Sequence, residues 1–458
     1  MLKPIQIVLV ILIVFGCSYE CPDGQQAGAC QECPPPLTEG YILNWSGAKQ
    51  LGSVANETGH SIATDFLGSV YITGNTYGSL FSTNTGPTNT PWTSDFFVAK
   101  YFGTGNQHWT VQKGTSSDEY GMGIAVDNTR NVFIAGSTSK SLEDSSDLGS
   151  FNIFISKFDI RGAKIWSRYW GTTLNDTSRS INIDGSGNVY VTGSTYGVFD
   201  GQTGFGGNDL FLVKYDSDGN TQWHRQLGSS ENDEGMGVVT DANNNIYITG
   251  YTLGNFDGNN NKNQFGEVWH RYDAIIIKYD TNGNKVWSKQ LGTSHADIPQ
   301  DITIDSSGYL YITGDTNGDL DGNTNSGSKN DLFVSKYDPN GILQWTEQLG
   351  TSEGTSGLGI TLDSSNNIYV TGRTKGNLDG NLSSGNDDGF VVKYDSNGSK
   401  IWTRQFGTSE IDFPQDIAAD TKGNIFVTGY TQGSIDGATS LGGNDVFIIK
   451  YDSEGNRK

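Results

Sequence analysis

The sequence predicts an all-β fold, a closed seven-bladed β-propeller of four-stranded antiparallel blades, and three observations lead to it. A tetrapeptide of the type Tyr-x-Thr-Gly occurs seven times at spacings of 57 to 64 residues, which fits one blade with one long loop per repeat. The 458 residues include 62 Gly, 21 Tyr, 21 Phe and 10 Trp, a composition that favours short strands joined by tight turns. The body also opens with a strand that its last repeat lacks.

The charge balance excludes one class of function. The chain carries 51 Asp and Glu against 29 Lys and Arg, which gives a formal net charge of −22. Proteins that hold nucleic acid by bulk charge need a basic surface. We therefore expect no nucleic-acid partner.

The first 16 residues have the pattern of a secretory signal peptide. Lys3 precedes an apolar run over residues 5–15, which is too short for a permanent membrane span. The run ends at Gly16-Cys17, which resembles the bacterial lipobox, where the cysteine becomes lipidated. This resemblance implies that Cys17 carries lipid and anchors the protein to the outer membrane or cell surface of a bacterium. The alternative is an ordinary signal peptide followed by a chance cysteine.

Residues 17–40 read as a flexible tether between the lipidated cysteine and the body. They contain three consecutive prolines at 34–36 and hold all the cysteines of the chain. Cys21, Cys30 and Cys33 would form one disulfide in an oxidising compartment, with the pairing left open. Cys30-x-x-Cys33 as half of a zinc site or a redox pair is the alternative.

Residues 41–458 form the predicted propeller, and each repeat contains four strands. The first strand ends at an Asp, and a Gly or Asn suited to a left-handed hairpin turn follows three residues later, except at Arg130. The second strand holds the tetrapeptide, and the third is a continuous apolar run typical of a strand buried on both faces. The fourth opens with Trp. These tryptophans are Trp45, Trp109, Trp166, Trp223, Trp287, Trp345 and Trp402.

The two ends of the body predict that the ring closes. The last repeat stops after the turn at 452–456, where a Trp strand should follow, while residues 44–52 form a Trp strand with no blade before it. We expect this N-terminal strand to complete the last blade beside Phe447–Tyr451. Such pairing would remove both exposed sheet edges.

The repeat resembles a known family. The pattern Gly-Ile-x-x-Asp, then Asn-x-Tyr-Val-Thr-Gly, then Asp-x-Phe-x-x-Lys-Tyr-Asp is similar to the bacterial SBBP repeat, which is named for the seven-bladed β-propeller. The similarity extends over residues 41–458. It implies a propeller in a secreted or surface protein, including surface-layer-like proteins, and brings no shared set of catalytic residues.

Long variable loops predict where a ligand would bind. In a four-stranded meander, the connections from strand two to three and from blade to blade lie on one face, which we call the long-loop face. Several of its loops are long, and variable loops on a rigid scaffold commonly carry recognition. The candidate ligand-binding residues are Trp92, Trp269, His270, Arg271 and Tyr272. Such rings can stack on sugars or anchor a protein, or they can pack onto a neighbouring loop.

An acidic residue recurs on the same face, five positions after the Gly that closes the fourth strand. Sevenfold symmetry would gather these acids at the channel mouth, where they could attract cations such as calcium. The alternative is that each acid accepts backbone N–H bonds inside its own loop. The six acids are Glu57, Glu119, Asp176, Asp233, Asp297 and Asp412, and Thr355 takes the seventh place.

Two further loops raise the question of calcium. Asp257, Asn259 and Asn261 alternate, as do Asp319, Asp321 and Asn323, but neither loop has the Gly and Glu that an EF-hand requires. Turn formation is the alternative role for these residues. We expect no other cofactor.

No catalytic pattern stands out. The five His fall at unrelated repeat positions, and no His-Glu-x-x-His or Gly-x-Ser-x-Gly sequence occurs. The sequence therefore predicts a non-enzymatic, monomeric, lipid-anchored module of the bacterial envelope that binds a protein or a glycan through its long-loop face. A carbohydrate-active hydrolase or lyase and a structural surface-layer-like component are the alternatives.

Overall fold

The structure is a seven-bladed β-propeller, which confirms the predicted fold class. The computed structural model describes residues 45–81, 93–259, 272–327 and 329–458. Seven four-stranded antiparallel sheets follow one another, and within each blade the strands pair in meander order. The first strand of each blade contacts the first strand of the next, so these strands surround a central channel.

The strands are numbered in chain order. Blade 1 contains β2 (Glu57–Thr64), β3 (Val70–Thr76), β4 (Asp95–Tyr101) and β5 (Gln107–Lys113). Blade 2 contains β6 (Glu119–Val126), β7 (Val132–Lys140), β8 (Asp147–Phe158) and β9 (Lys164–Trp170). Blade 3 contains β10 (Asp176–Ile183), β11 (Val189–Thr195), β12 (Asp209–Tyr215) and β13 (Thr221–Leu227). Blade 4 contains β14 (Asp233–Thr240), β15 (Ile246–Thr252), β16 (Asp273–Tyr279) and β17 (Lys285–Leu291).

The remaining blades follow the same order. Blade 5 contains β18 (Asp297–Ile304), β19 (Leu310–Thr316), β20 (Asp331–Tyr337) and β21 (Leu343–Leu349). Blade 6 contains β22 (Thr355–Leu362), β23 (Ile368–Thr374), β24 (Asp388–Tyr394) and β25 (Lys400–Phe406). Blade 7 contains β26 (Asp412–Ala419), β27 (Ile425–Thr431), β28 (Asp445–Tyr451) and, from the start of the body, β1 (Lys49–Leu51). Single 3₁₀ turns lie at Leu320–Gly322, Leu378–Gly380 and Ile435–Gly437.

Both ends of the body build the outer strand of blade 7. The strand β1 runs antiparallel to β28, with Gln50 opposite Phe447. Further along β28, Tyr451 bridges Arg457, so the last residues of the chain begin the strand that β1 continues. The predicted closure is therefore confirmed, and β1 pairs with the earlier half of β28 rather than with its whole length.

The hairpin between the first and second strands is formed as the sequence predicts. In blade 1, Asp65 Oδ1 accepts the backbone N–H groups of Leu67 and Ser69, while Oδ2 accepts the Tyr71 hydroxyl at 2.9 Å. The residue three positions after the Asp is left-handed in every blade, and even Arg130 has a φ of 65°. The turn geometry thus outweighs the strain that a Cβ adds at positive φ.

Apolar packing between blades forms the core. The second and third strands are almost wholly buried, because both of their faces contact neighbouring blades. The fourth-strand tryptophan contacts the three-to-four turn of the next blade. A Cβ placed on Gly283, at φ 76°, would lie 2.9 Å from the Trp223 ring, so only Gly allows this approach. Lys278 also joins two blades, since its ammonium lies over the Tyr247 ring and donates to the Pro339 carbonyl at 3.1 Å.

The N-terminal predictions lie outside the described residues. These are the signal peptide at 1–16, the tether at 17–40, Cys17, Cys21, Cys30 and Cys33. In the part of the chain that the structure describes, no helix has the length and hydropathy to cross a membrane.

Candidate functional site

The six recurring acids lie inside the blades. Each begins the first strand of its blade and is at most 1% exposed. Glu57 Oε2 accepts the Ser53 backbone N–H at 2.7 Å, and its Oε1 accepts the hydroxyls of Ser53 and Thr76 at 2.6 and 2.8 Å. Equivalent bonds tie Asp297 and Asp412 to their loops. The contacts are those of the alternative role, in which each acid stabilises its own loop.

Burial raises the pKa of four of these acids, Glu119, Asp176, Asp233 and Asp412. It raises the pKa of Glu119 to about 7 and the pKa of Asp233 to about 6, although hydroxyl and backbone donors oppose the rise. In blade 6, Thr355 replaces the acid and shares a hydrogen bond of 3.1 Å with the Thr374 hydroxyl. A hydroxyl pair can therefore fill the same place in the fold without a charge.

A different set of residues lines the channel. In every first strand, a β-bulge places one extra residue three positions after the first residue of the strand, and these extra residues line a cavity of about 110 Å³ in the channel. A bulge leaves its extra residue unpaired and changes where its side chain points. The seven bulge residues are His60, Met122, Arg179, Met236, Gln300, Leu358 and Gln415.

Two carboxyl groups next to the bulges link blades around the channel. Asp301 Oδ2 accepts the Ile360 backbone N–H of blade 6 at 3.0 Å, and Asp416 Oδ2 accepts the Ile62 backbone N–H of blade 1 at 2.9 Å. Burial raises the pKa of both groups, and the neighbouring Asp416 carboxyl raises the pKa of Asp301 further. Their bonds to backbone N–H groups make them structural links between innermost strands.

The channel opens on the long-loop face into what we call the vestibule. We call the second residue of each first strand and the residue opposite it on the second strand, at the end of the blades where the long loops begin, the vestibule wall. These positions differ in chemistry from blade to blade. In blade order the pairs are Thr58 with Asn75, Tyr120 with Ser137, Thr177 with Ser194, Glu234 with Tyr251, Ile298 with Asp315, Ser356 with Arg373, and Phe413 with Tyr430.

Charged and aromatic groups of the vestibule contact one another across blades. Arg179 of blade 3 pairs with Glu234 of blade 4, and Glu234 also accepts the Tyr251 hydroxyl at 2.6 Å. The Arg373 guanidinium lies 4.6 Å from the centre of the Phe413 ring. Burial raises the pKa of the nearby Asp315 to about 7, with the Arg373 charge opposing the rise. The wall thus holds both signs of charge.

One cavity of the vestibule lies on blades 1 to 3, and we call it the vestibule cavity. It has a volume of about 510 Å³, within the range of small-molecule sites. Tyr77, Tyr120 and Phe151 form its aromatic wall, and the rings of Tyr120 and Phe151 lie 6.1 Å apart. The cavity reaches the bulge residues of the same three blades, so it opens toward the channel.

The candidate aromatic residues of the long loops fall into two groups. Trp92, Trp269, His270 and Arg271 lie outside the described residues. Tyr272 is described, and its ring meets the vestibule residue Tyr251 edge-on at 5.1 Å. Sequence reasoning missed Phe151, although it directly precedes the third-strand core of blade 2 as Tyr272 does in blade 4. Comparing this position across the repeats could have found it.

Sequence reasoning also missed a clasp between the third and fourth strands. In blade 4, Gln290 Nε2 donates to Asp273 Oδ2 at 2.9 Å and to the Gly254 carbonyl at 3.0 Å. The Gln290 Oε1 atom accepts the Phe256 backbone N–H, which fixes the start of the long loop. Six blades have this Gln–Asp clasp, with glutamines Gln50, Gln112, Gln226, Gln290, Gln348 and Gln405.

The described side chains of the two loops considered for calcium contact the fourth strand or form turns. Asp257 bonds to Ser288 and Lys285 of the fourth strand. Asp321 accepts the Thr346 hydroxyl at 2.7 Å, and Asn323 donates to the Leu320 carbonyl at 2.9 Å. Within the described ranges, no three His, Cys, Asp or Glu side chains are grouped to hold a metal ion. Asp257 and Asp321 thus bind the fourth strand, whereas Asn323 has the turn role given above as the alternative. Asn261 lies outside the described residues.

Curated relatives share part of this chain. An uncharacterized WD repeat-containing protein of Acanthamoeba polyphaga mimivirus is 25% identical over 76% of the chain, which spans 34% of that protein. The regulatory protein FlaEY of Caulobacter vibrioides is 27% identical over 40% of the chain and 20% of its own length. The chain therefore spans about a third or less of either relative.

One solved structure shares the fold. Puromycin hydrolase aligns with 87% of this chain and 53% of its own, with a TM-score of 0.51 and 10% identity. The Pan2 WD40 domain of Neurospora crassa aligns with 88% of this chain and 97% of its own, with a TM-score of 0.47 and 11% identity. At these identities, the first similarity shows the fold alone.

The repeats themselves match a family model described as a β-propeller repeat, SBBP. The six matches cover residues 47–82, 165–200, 222–257, 286–321, 344–379 and 401–436. The longest interval without a match, 83–164, contains β4 and β5 of blade 1 and β6 to β8 of blade 2. Blade 2 is also the blade without the clasp, since Tyr169 stands in place of the glutamine and Asn152 in place of its Asp. Together with the seven four-stranded blades, these matches show that the chain belongs to the SBBP β-propeller repeat family.

Proposed function

We propose that this protein is a non-catalytic interaction module that binds a protein or glycan ligand through the vestibule and the loops around it. The observation that carries the proposal is the break in sevenfold repetition at the vestibule wall. The residues that build the blades recur, whereas the residues that face the vestibule do not.

The contrast can be read position by position. The Gln–Asp clasp is present in six blades, and the left-handed turn after the first strand is present in all seven. The second residue of the first strand, by comparison, is Thr, Tyr, Thr, Glu, Ile, Ser and Phe in blade order. A position that only supports the fold can hold the same residue in every blade. Diversity along a concave surface is what recognition of an asymmetric ligand requires.

The chemistry of this wall suits recognition. The stacked pair Phe413 and Tyr430, with ring centres 5.2 Å apart and planes only 4° apart, offers a flat apolar surface. Arg373 lies beside this pair, and Glu234 lies on the facing side of the ring of blades. Rigid aromatic rings and fixed charges lose little conformational entropy on binding, so they make good contact groups.

Substitutions on the two faces test this proposal. Phe413→Ala and Glu234→Gln change the vestibule. The control Ile342→Ala changes a side chain that is 59% exposed and lies in a turn between a third and a fourth strand, on the face opposite the long loops. The purified protein and its variants would be screened against glycan arrays and against bacterial surface proteins. The proposal expects ligands that the vestibule variants lose and that Ile342→Ala retains. Ligands that all variants bind equally would refute it.

We also propose that the protein is displayed on a bacterial envelope through a lipid at Cys17. The short apolar run before Cys17 and the proline-rich stretch after it support this address. Palmitate labelling in a bacterial host, with and without Cys17→Ala, provides the test. Label incorporation that is independent of Cys17 would contradict the proposal.

A further inference from the structure

We propose that the vestibule cavity on blades 1 to 3 is a binding site for a neutral saccharide. This inference rests on the function proposed above, since it names the ligand class for one part of the same surface. It uses only the described residues that line the cavity.

The wall of the cavity matches the apolar face of a sugar ring. Tyr120 lies on the first strand of blade 2, beside the channel. The centre of the Phe151 ring lies 6.1 Å from the centre of the Tyr120 ring in the same blade. Tyr77 lines the cavity from the start of the long loop of blade 1. All three rings are half-buried, so they are held in place but keep exposed surface. A pyranose ring presents a face of C–H groups, and such faces stack on aromatic rings.

Polar groups at the rim are arranged to meet hydroxyl groups. His60 is held in its neutral form because burial lowers its pKa to about 4. With its Nε2–H donating to Asn75 Oδ1 at 2.6 Å, Nδ1 is an acceptor, and the Asn75 amide keeps its two N–H donors. The Asp118 carboxylate, whose Oδ1 accepts the Ser94 backbone N–H at 2.9 Å, adds an acceptor. Donors and acceptors around aromatic rings are the groups that orient a sugar.

The charges of the site favour a neutral ligand. Asp118 lies in the cavity lining, and the chain has a net charge of −22, so an acidic sugar would meet repulsion. The one guanidinium of the lining belongs to Arg179, whose charge is already paired with Glu234. An anion would have to compete with that carboxylate for Arg179.

The shape of the cavity favours a small ligand over a protein surface. A stable protein interface buries roughly 800 Å² on each partner, whereas this hollow is a recess of about 510 Å³ beside the channel. A protein could enter it only through a single protruding side chain. One or two linked sugar rings would contact the three aromatic residues and the polar rim together.

Calorimetric titration of the full-length protein tests the inference. The probes are neutral malto-, cello- and chito-oligosaccharides and acidic oligogalacturonates. Tyr120→Ala and Phe151→Leu each remove an aromatic face, the second with little change in volume, and each should weaken neutral-sugar binding about tenfold or more. The matched control is Tyr196→Ala, because Tyr196 follows the second strand of blade 3 as Tyr77 does in blade 1 but is 56% exposed outside the cavity.

The outcomes separate this inference from the proposed function. A neutral oligosaccharide that binds the wild type and Tyr196→Ala, but binds Phe151→Leu at least about tenfold more weakly, supports the inference. Preference for the acidic probes, or neutral binding that all variants retain, overturns it. If no saccharide binds while a captured surface protein depends on Phe413 and Glu234, the inference falls and the proposed function stands. If no ligand depends on either set of residues, both fall.

Discussion

The substitution Gln50→Ala is expected to weaken the closure of the propeller. Gln50 is the clasp residue of blade 7, and its Nε2 donates to Asp445 Oδ2 at 2.8 Å and to the Gly433 carbonyl at 2.9 Å, while its Oε1 accepts the Ile435 backbone N–H at 3.1 Å. A neutral hydrogen bond contributes about 1 kcal/mol to stability and one to a carboxylate about 2 kcal/mol, so the loss is about 4 kcal/mol.

Gln405→Ala is the matched control, because Gln405 makes the same three bonds inside blade 6. Urea unfolding followed by near-ultraviolet circular dichroism would give both free energies of unfolding. Both variants should lose about 4 kcal/mol. Only Gln50→Ala should speed amide exchange at Val446–Ile448, where β1 pairs with β28. A full loss in Gln405→Ala with less than about 1 kcal/mol in Gln50→Ala would show that the N-terminal strand does not hold the ring closed.

Three further predictions test the blade structure. Gly283→Ala should lower the free energy of unfolding in urea by at least about 2 kcal/mol more than Gly201→Ala. Both glycines have positive φ, but only Gly283 faces a Trp ring. Equal losses in the two variants would contradict this contact. Tyr71→Phe should cost about 1 to 2 kcal/mol by the same measurement, because its hydroxyl bonds to buried Asp65. Tyr101→Phe, whose hydroxyl makes no hydrogen bond within the described ranges, should cost less, and the reverse order would refute this reasoning. Burial raises the pKa of Asp315 to about 7. The folded state therefore keeps a proton that the unfolded state has lost above pH 4, and this contribution to stability falls as pH rises from about 4 to 7, by up to about 1.4 kcal/mol per pH unit. Asp315→Asn should gain stability relative to wild type over that range, and a constant difference would count against the shift.

Much of the fold could be predicted because its signals are local. A left-handed residue three positions after Asp65, Asp127 or Asp184 is a requirement of one short hairpin, so it leaves a mark in every repeat. The missing Trp strand after residue 451 likewise indicated closure. The register was harder, because pairing β1 with β28 joins segments nearly 400 residues apart and depends on how the last turn is shared with Arg457.

The candidate site could be predicted only in outline. The long-loop face was chosen from loop lengths, and Tyr272 does contact the vestibule residue Tyr251. The expectation that the acids would gather at the channel mouth rested on sevenfold symmetry alone, whereas the acids are buried and bonded to their own loops. The residues in the channel are those of the bulges, such as His60 and Met122. An extra unpaired residue has no reliable signature in one sequence, because it depends on contacts with the next blade.

The sequence by itself determined the number of blades, the strand order, the hairpin turns and the segments that close the ring. Each of these follows from a short pattern repeated seven times or from its interruption at the chain ends. Only the tertiary structure decided that the recurring acids turn inward to their own loops, that the bulges line the channel, and that Tyr77, Tyr120 and Phe151 form one cavity. The physical reason is that strand patterns fix neighbours along the chain, whereas the facing of a side chain across blades depends on bulges and on packing between distant segments.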